Sequence, residues 1–190
     1  AVDRQGGKWF GTWDGGVSRL AAGGEWATYL PQQPGLVSDP VFAIAVDAQS
    51  NKWFATDSGV SRLAADNHTW EHFDSSNSAL ESDVVQAIAI DADGNRWFGT
   101  EAGAARLSAD SGTWITYTAQ NSGLAADSVR AIGLGADGSL WFGTQLGVSR
   151  LFKNGAWATY TKANSGLLAD DVIAIAAAGN DVWIGVDGGV

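Results

Sequence analysis

The chain has 190 residues, 45% of them hydrophobic, with no cysteine and a formal net charge of −10. That apolar content supplies a sizeable core and excludes a disordered chain, and the absence of cysteine excludes disulfides and thiolate metal sites. The acidic balance argues against nucleic acid and against a polybasic grip on anionic membranes, and no apolar run approaches the roughly 18 residues of a spanning helix.

Nine of the ten tryptophans fall into two registers. Trp9, Trp53, Trp97, Trp141 and Trp183 are separated by 44, 44, 44 and 42 residues; Trp26, Trp70, Trp114 and Trp157 by 44, 44 and 43. A fixed period of this length marks one supersecondary unit copied and stacked. The approximate units run 1–40, 41–84, 85–128, 129–171 and an incomplete 172–190, and together make one array. The first carries Trp9-Phe-Gly-Thr12, Gly16-Val-Ser-Arg-Leu20 and Trp26. The second repeats the pattern with Trp53, Gly59 and Trp70.

The third unit is the clearest. Val85-Gln-Ala-Ile-Ala-Ile-Asp91 reads as a strand buried on both faces, followed by a hairpin turn over 92–95 with Asp-Gly at its centre. Strands over 96–100, 104–108 and 113–118 follow, with turns at 101–103 and 110–112 between them. A polar loop over 119–127 leads to the fourth unit. Four short hairpin-linked strands per unit, with no helical period anywhere, predict an all-β propeller of four-stranded antiparallel blades.

The units Trp9-Phe-Gly-Thr12 with Gly16-Val-Ser-Arg-Leu20, and Trp141-Phe-Gly-Thr144 with Gly147-Val-Ser-Arg-Leu151, resemble the two-component regulator propeller repeat. So do the Asn-Ser-Gly-Leu segments at 121–124 and 164–167. The resemblance spans the whole chain. It implies a bacterial, extracytoplasmic, sensor-type propeller, periplasmic or secreted, with carbohydrate as the associated ligand class.

Four periods of 44 leave 14 residues over, and 1–17 align with 175–190. A closed four-bladed ring would have no place for the surplus copy of the second strand at Val182-Trp-Ile-Gly-Val186. An open arc would expose two apolar blade faces. About four blades are therefore expected as part of a larger ring of seven to nine, completed by remaining blades or by a second copy. The absence of methionine and an opening on Ala-Val-Asp inside a repeat read as a piece of a longer product or a processed chain.

Residues that recur in every unit are read as scaffold. Arg19, Arg62, Arg106 and Arg150 recur in the third strand, and Asp39, Asp83, Asp127 and Asp170 precede the innermost strand. Each Asp is expected to cap its loop or pair with an Arg. Gly16, Gly59, Gly103, Gly147 and Gly189 are expected to supply positive φ. Asp91-Ala-Asp-Gly-Asn95 resembles the start of a calcium loop but lacks the later ligands, so no metal or cofactor is assigned. Ser108-Ala-Asp110-Ser-Gly-Thr-Trp114 is one residue short of an Asp-box, itself a turn element.

The exceptions carry the functional reading. Between the second and third strands the paired loop residues read Trp13-Asp14, Asp57-Ser58, Glu101-Ala102, Gln145-Leu146 and Asp187-Gly188. Trp13 is the one tryptophan out of register, and an aromatic face beside carboxylates and amides suits a sugar. The innermost strand varies at Phe42, Gln86, Arg130 and Ile173. The expected ligand-binding residues are Trp13, Asp14, Asp57, Glu101, Gln145, Gln86 and Arg130. No catalytic residue is assigned: there is no Gly-x-Ser-x-Gly elbow, and His68 and His72 lie in one unit, away from where streptogramin-lyase propellers place their histidines. The leading expectation is a non-catalytic module for a small glycan or peptide; the alternatives are a protein-interaction scaffold and, third, a propeller lyase or hydrolase.

Overall fold

β-Branched and aromatic runs broken by glycine turns become seventeen short antiparallel strands, with no helix among the described residues; the computed structural model describes residues 1–31, 35–110 and 112–189. Blade 1 holds β1 (Lys8–Gly11), β2 (Val17–Leu20) and β3 (Trp26–Tyr29). Blade 2 holds β4 (Val41–Val46), β5 (Lys52–Thr56), β6 (Gly59–Leu63) and β7 (Trp70–Phe73). Blade 3 holds β8 (Val85–Ile90), β9 (Arg96–Thr100), β10 (Gly103–Leu107) and β11 (Trp114–Tyr117). Blade 4 holds β12 (Val129–Leu134), β13 (Leu140–Thr144), β14 (Gly147–Leu151) and β15 (Trp157–Tyr160), and β16 (Val172–Ala178) with β17 (Asp181–Val186) begin a fifth. The innermost strands β4, β8, β12 and β16 lie side by side.

Blade 1 has no full innermost strand, but Ala1 and Val2 occupy the end of its place. The Trp9 amide donates to the Ala1 carbonyl at 2.8 Å, and Val2 bridges Lys8 as Val46 pairs with Lys52. The strands of the third unit fall within a residue or two of their expected ends. Ser111 of its last turn and Val190 lie outside the described residues.

The core is a repeated sandwich of aromatics between blades. On the second strand, successive residues point to opposite blade faces. Trp9 and Tyr29 of blade 1 stack on each other at 5.5 Å and meet Phe54 and Trp70 of blade 2 at 5.9 and 5.8 Å. Trp53 and Phe73 meet Phe98 and Trp114 in the same way, and Trp97 and Tyr117 meet Phe142 and Trp157. Phe54, Phe98 and Phe142 are fully buried.

A polar latch accompanies two of these interfaces. Asp47, in the hairpin after β4, accepts from Trp53 Nε1 at 3.0 Å, from the Asn51 side chain and from Arg96 of the next blade at 3.0 Å. Arg96 also lies over the Trp53 ring. Lys52 of blade 2 lies likewise over the Trp9 ring, whose Nε1 donates to Asp3. Burial lowers the pKa of Lys52, against the opposing pull of Asp3.

Three expectations about repeated residues are corrected or refined. The once-per-unit arginines do not meet the once-per-unit aspartates before the innermost strands. They lie over the Trp rings instead: Arg19 over Trp9, Arg62 over Trp53, Arg106 over Trp97 and Arg150 over Trp141. The aspartates cap loops: Asp83, Asp127 and Asp170 accept from the amides of Ser75, Ala119 and Lys162. Asp39 would need the amide of residue 31, which is Pro31 and has none, and its Oδ1 is left without a partner. In the fifth unit the positive φ falls on Gly188, not Gly189, in a turn closed by hydrogen bonds between Val186 and Gly189.

Candidate functional site

Strand direction alternates within a blade, so the second-to-third-strand hairpins and the loops between blades share one end of the arc. Backbone hydrogen bonds tie them there: the Val41 amide donates to the Thr12 carbonyl, Gly59 to Asp83, Glu101 to Val84 and Asp187 to Asp171. This end is the mouth face, and the hairpins around Asp47, Asp91 and Gly135 lie at the other end.

Each innermost strand begins with a break in register. The partners jump from Val41 to Ala43, from Val85 to Ala87, from Val129 to Ala131 and from Val172 to Ala174. The residues passed over are Phe42, Gln86, Arg130 and Ile173, the positions at which the sequence varies. A bulge leaves its extra residue out of the ladder and re-aims its side chain. The flanking valines are buried, while the bulge residues are partly or fully exposed at the mouth.

Of the expected residues, the structure brings Gln86 and Glu101 together and sets Trp13 and Arg130 against residues outside that group. Trp13 is 74% exposed, and its ring meets Phe42 of the next blade edge-on at 5.7 Å. Gln86 Nε2 reaches Glu101 Oε1 at 3.5 Å, the outer limit of a hydrogen bond. Arg130 forms an ion pair with Asp171, in the loop before β16. Asp14, Asp57 and Gln145 are exposed on the hairpins of the same face, and Asp57 accepts from the Ser58 hydroxyl. Phe42 and Asp171 join the expected residues on this face. Phe42 stood in the variable column, but an apolar side chain in an apolar strand gave no reason to separate it from the core. Asp171 sits beside the repeated Asp170 and is masked by it.

The histidines lie elsewhere. His68 is in the turn before β7, where Asp66 accepts from the Thr69 hydroxyl and from the amides of Thr69 and His68; these bonds hold the Asp66 pKa at about 2. His72 pairs across from Ser61 on the outer strands of blade 2, with Nδ1 3.3 Å from Ser61 Oγ. Burial lowers the His72 pKa, with Asp74 opposing. Ser61 Oγ accepts from the Val37 amide, as Ser149 Oγ accepts from Ala125, so this serine is a loop anchor repeated between blades. The calcium-loop look-alike is a turn as well: Asp91 accepts from the amides of Asp93 and Asn95, the Asn95 side chain and Trp97 Nε1.

Similarity to solved structures agrees with this geometry. The extracellular domain of the B. thetaiotaomicron one-component or hybrid two-component system BT4673 aligns over 97% of this chain with a TM-score of 0.80 at 18% identity. The chain has a β-propeller fold. It spans only 25% of that domain, so it corresponds to an arc of a larger assembly of blades. A virginiamycin B lyase from Staphylococcus aureus aligns over 97% of this chain and 61% of its own length, with a TM-score of 0.74 at 16% identity. PorZ, a bacterial surface component of the type-IX secretion system of Porphyromonas gingivalis, aligns over 100% of this chain and 30% of its own, with a TM-score of 0.75 at 16% identity. No family model and no curated protein matches the sequence. At these identities the likeness is one of fold, and it covers both sensor domains and enzymes.

Proposed function

We propose that this arc is a non-catalytic, ligand-binding part of an extracytoplasmic sensor-type propeller, and that a small glycan or peptide is held on its mouth face. One observation carries the reading. The position at which the innermost strands change from aromatic or aliphatic to amide or cation is the bulge residue in every one of them, while their other positions stay small or aliphatic. Blade packing dictates the neighbours of that residue but makes no demand on its side chain, which leaves it free for recognition.

The chemistry displayed suits a polyol or an amide-rich ligand. The exposed Trp13 ring, braced by Phe42, offers an apolar face to sugar C–H groups or to a peptide side chain. Gln86 with Glu101, a pair of net negative charge, and Arg130 with Asp171, a balanced ion pair, set donors beside acceptors. With Asp14, Asp57 and Glu101 exposed, the face favours hydroxyl and amide donors and disfavours an anionic ligand. Neither histidine is on this face, so the chain offers it no imidazole base.

The test is equilibrium titration of the chain and of its Trp13→Ala and Arg130→Ala variants against panels of neutral oligosaccharides and short peptides. Loss of the aromatic platform should weaken binding by about tenfold, the equivalent of ~1.4 kcal/mol. Unchanged affinity in both variants removes the mouth face from consideration.

A further inference from the structure

Blade 1 carries an unused copy of the inter-blade interface. Phe10 and Trp26 stand in the register of Phe54 and Trp70, with ring centroids 5.8 Å apart, yet they are 44% and 64% exposed where Phe54 is fully buried. Lys8 precedes Trp9 as Lys52 precedes Trp53 and Arg96 precedes Trp97, and it too is exposed. In blades 2 and 3 this cation lies over a Trp ring of the preceding blade whose Nε1 donates to an aspartate: Arg96 lies over Trp53 and bonds Asp47, while Lys52 lies over Trp9 within the field of Asp3 and donates to Asn67 of its own blade.

Each cation in this position meets an aspartate on the preceding blade, whereas an aspartate can stand without the cation. Where blade 4 has Leu140 in the cation position, Asp91 has no cation across the interface. Where the fifth unit has Val182, blade 4 has Gly135 in place of the aspartate, and Trp141 Nε1 is buried without a partner. A lysine at position 8 thus marks a neighbour that carries the aspartate.

We propose that the Phe10–Trp26 face of blade 1 docks a repeat blade bearing an Asp-capped Trp and a stacked Tyr or Phe, with Lys8 seated over that Trp in the field of the aspartate. A second copy of this chain does not meet the specification at either place where it could dock. Its terminal Trp183 is 58% exposed, but the residue in the Asp47 position is Ala178, and no outer strand supplies the second ring. If β17 gave way and β1 paired with β16, Lys8 would face Gly135, and the nearby Asp137 is already bound by Arg150. Either contact would bury an ammonium group without its carboxylate.

The experiment places one of two blades ahead of Ala1 in the full chain. Residues 45–88 supply Asp47, Trp53 and Phe73, and their last four residues, Val-Gln-Ala-Ile, run into Ala1-Val2 to complete an innermost strand like β4. Residues 133–175 supply Trp141 and Tyr160 with Gly135 in place of the aspartate, and join in the same register. Hydrogen exchange of β1 to β3, read by mass spectrometry, should slow by about tenfold more with the first blade than with the second. An Asp47→Ala change in the added blade should erase the difference. Sedimentation of the unextended chain should show no concentration-dependent dimer. Equal protection by both blades would overturn the proposal, as would a dimer of the unextended chain abolished by Phe10→Glu.

Discussion

Asp47 shows how much of this scaffold hangs on single side chains. Buried, it would sit above the ordinary carboxylate range, but hydrogen bonds from Asn51, Trp53 and Arg96 hold its pKa below that range. Removing it leaves Arg96 buried and uncompensated, so Asp47→Ala should cost about 3 kcal/mol in urea denaturation. Asp3 is held low in the same manner, against burial, by Trp9 and the Gly7 amide. Both carboxyls have a lower pKa folded than unfolded, so the unfolded chain binds more protons as pH drops. Their contribution is complete above the unfolded value of about 3.9 and is lost as pH falls through the folded values. Stability measured by denaturant midpoint should therefore hold above about pH 5 and decline below about pH 4. At Gly59 the constraint is backbone geometry. With φ at +107° and an added Cβ only 2.3 Å from the Phe73 carbonyl, Gly59→Ala should destabilise by more than about 1 kcal/mol.

Strands show what a sequence can and cannot announce. Phe98 and Phe10 occupy one repeat position, yet only Phe98 is enclosed by the neighbouring blade. Phe98→Ala should cost about 3–5 kcal/mol in thermal or urea unfolding, and Phe10→Ala less than about 1 kcal/mol. Equal costs would contradict the inter-blade account of the core. The strands themselves were legible because short β-branched and aromatic runs bounded by glycine turns are local signals, and the third unit could be read nearly to the residue. The bulges were not. Gln86 and Arg130 stood out as polar residues in an apolar run, but nothing in their neighbours says that the ladder skips them. The latch was equally hidden, since Asp47 and Arg96 are 49 residues apart and belong to different blades. Asp39 deceived in the opposite sense: it matches its repeat position and fails as a cap only because Pro31 lacks an N–H.

At the scale of the whole arc, sequence repetition separates scaffold from surface. Nine tryptophans pack within or between blades or lie at the two terminal faces, in positions their repeats define. Trp13 is outside that scheme, and the structure sets it on the mouth face beside a bulge residue. Ligand recognition there is the central claim, and amide chemical-shift mapping during titration with a binding oligosaccharide or peptide tests it most directly. The account expects shifts grouped at Trp13, Phe42, Gln86, Glu101, Arg130 and Asp171, with the hairpins at 47–51 and 91–95 unmoved. Shifts centred on those hairpins, at the opposite end of the blades, would contradict it.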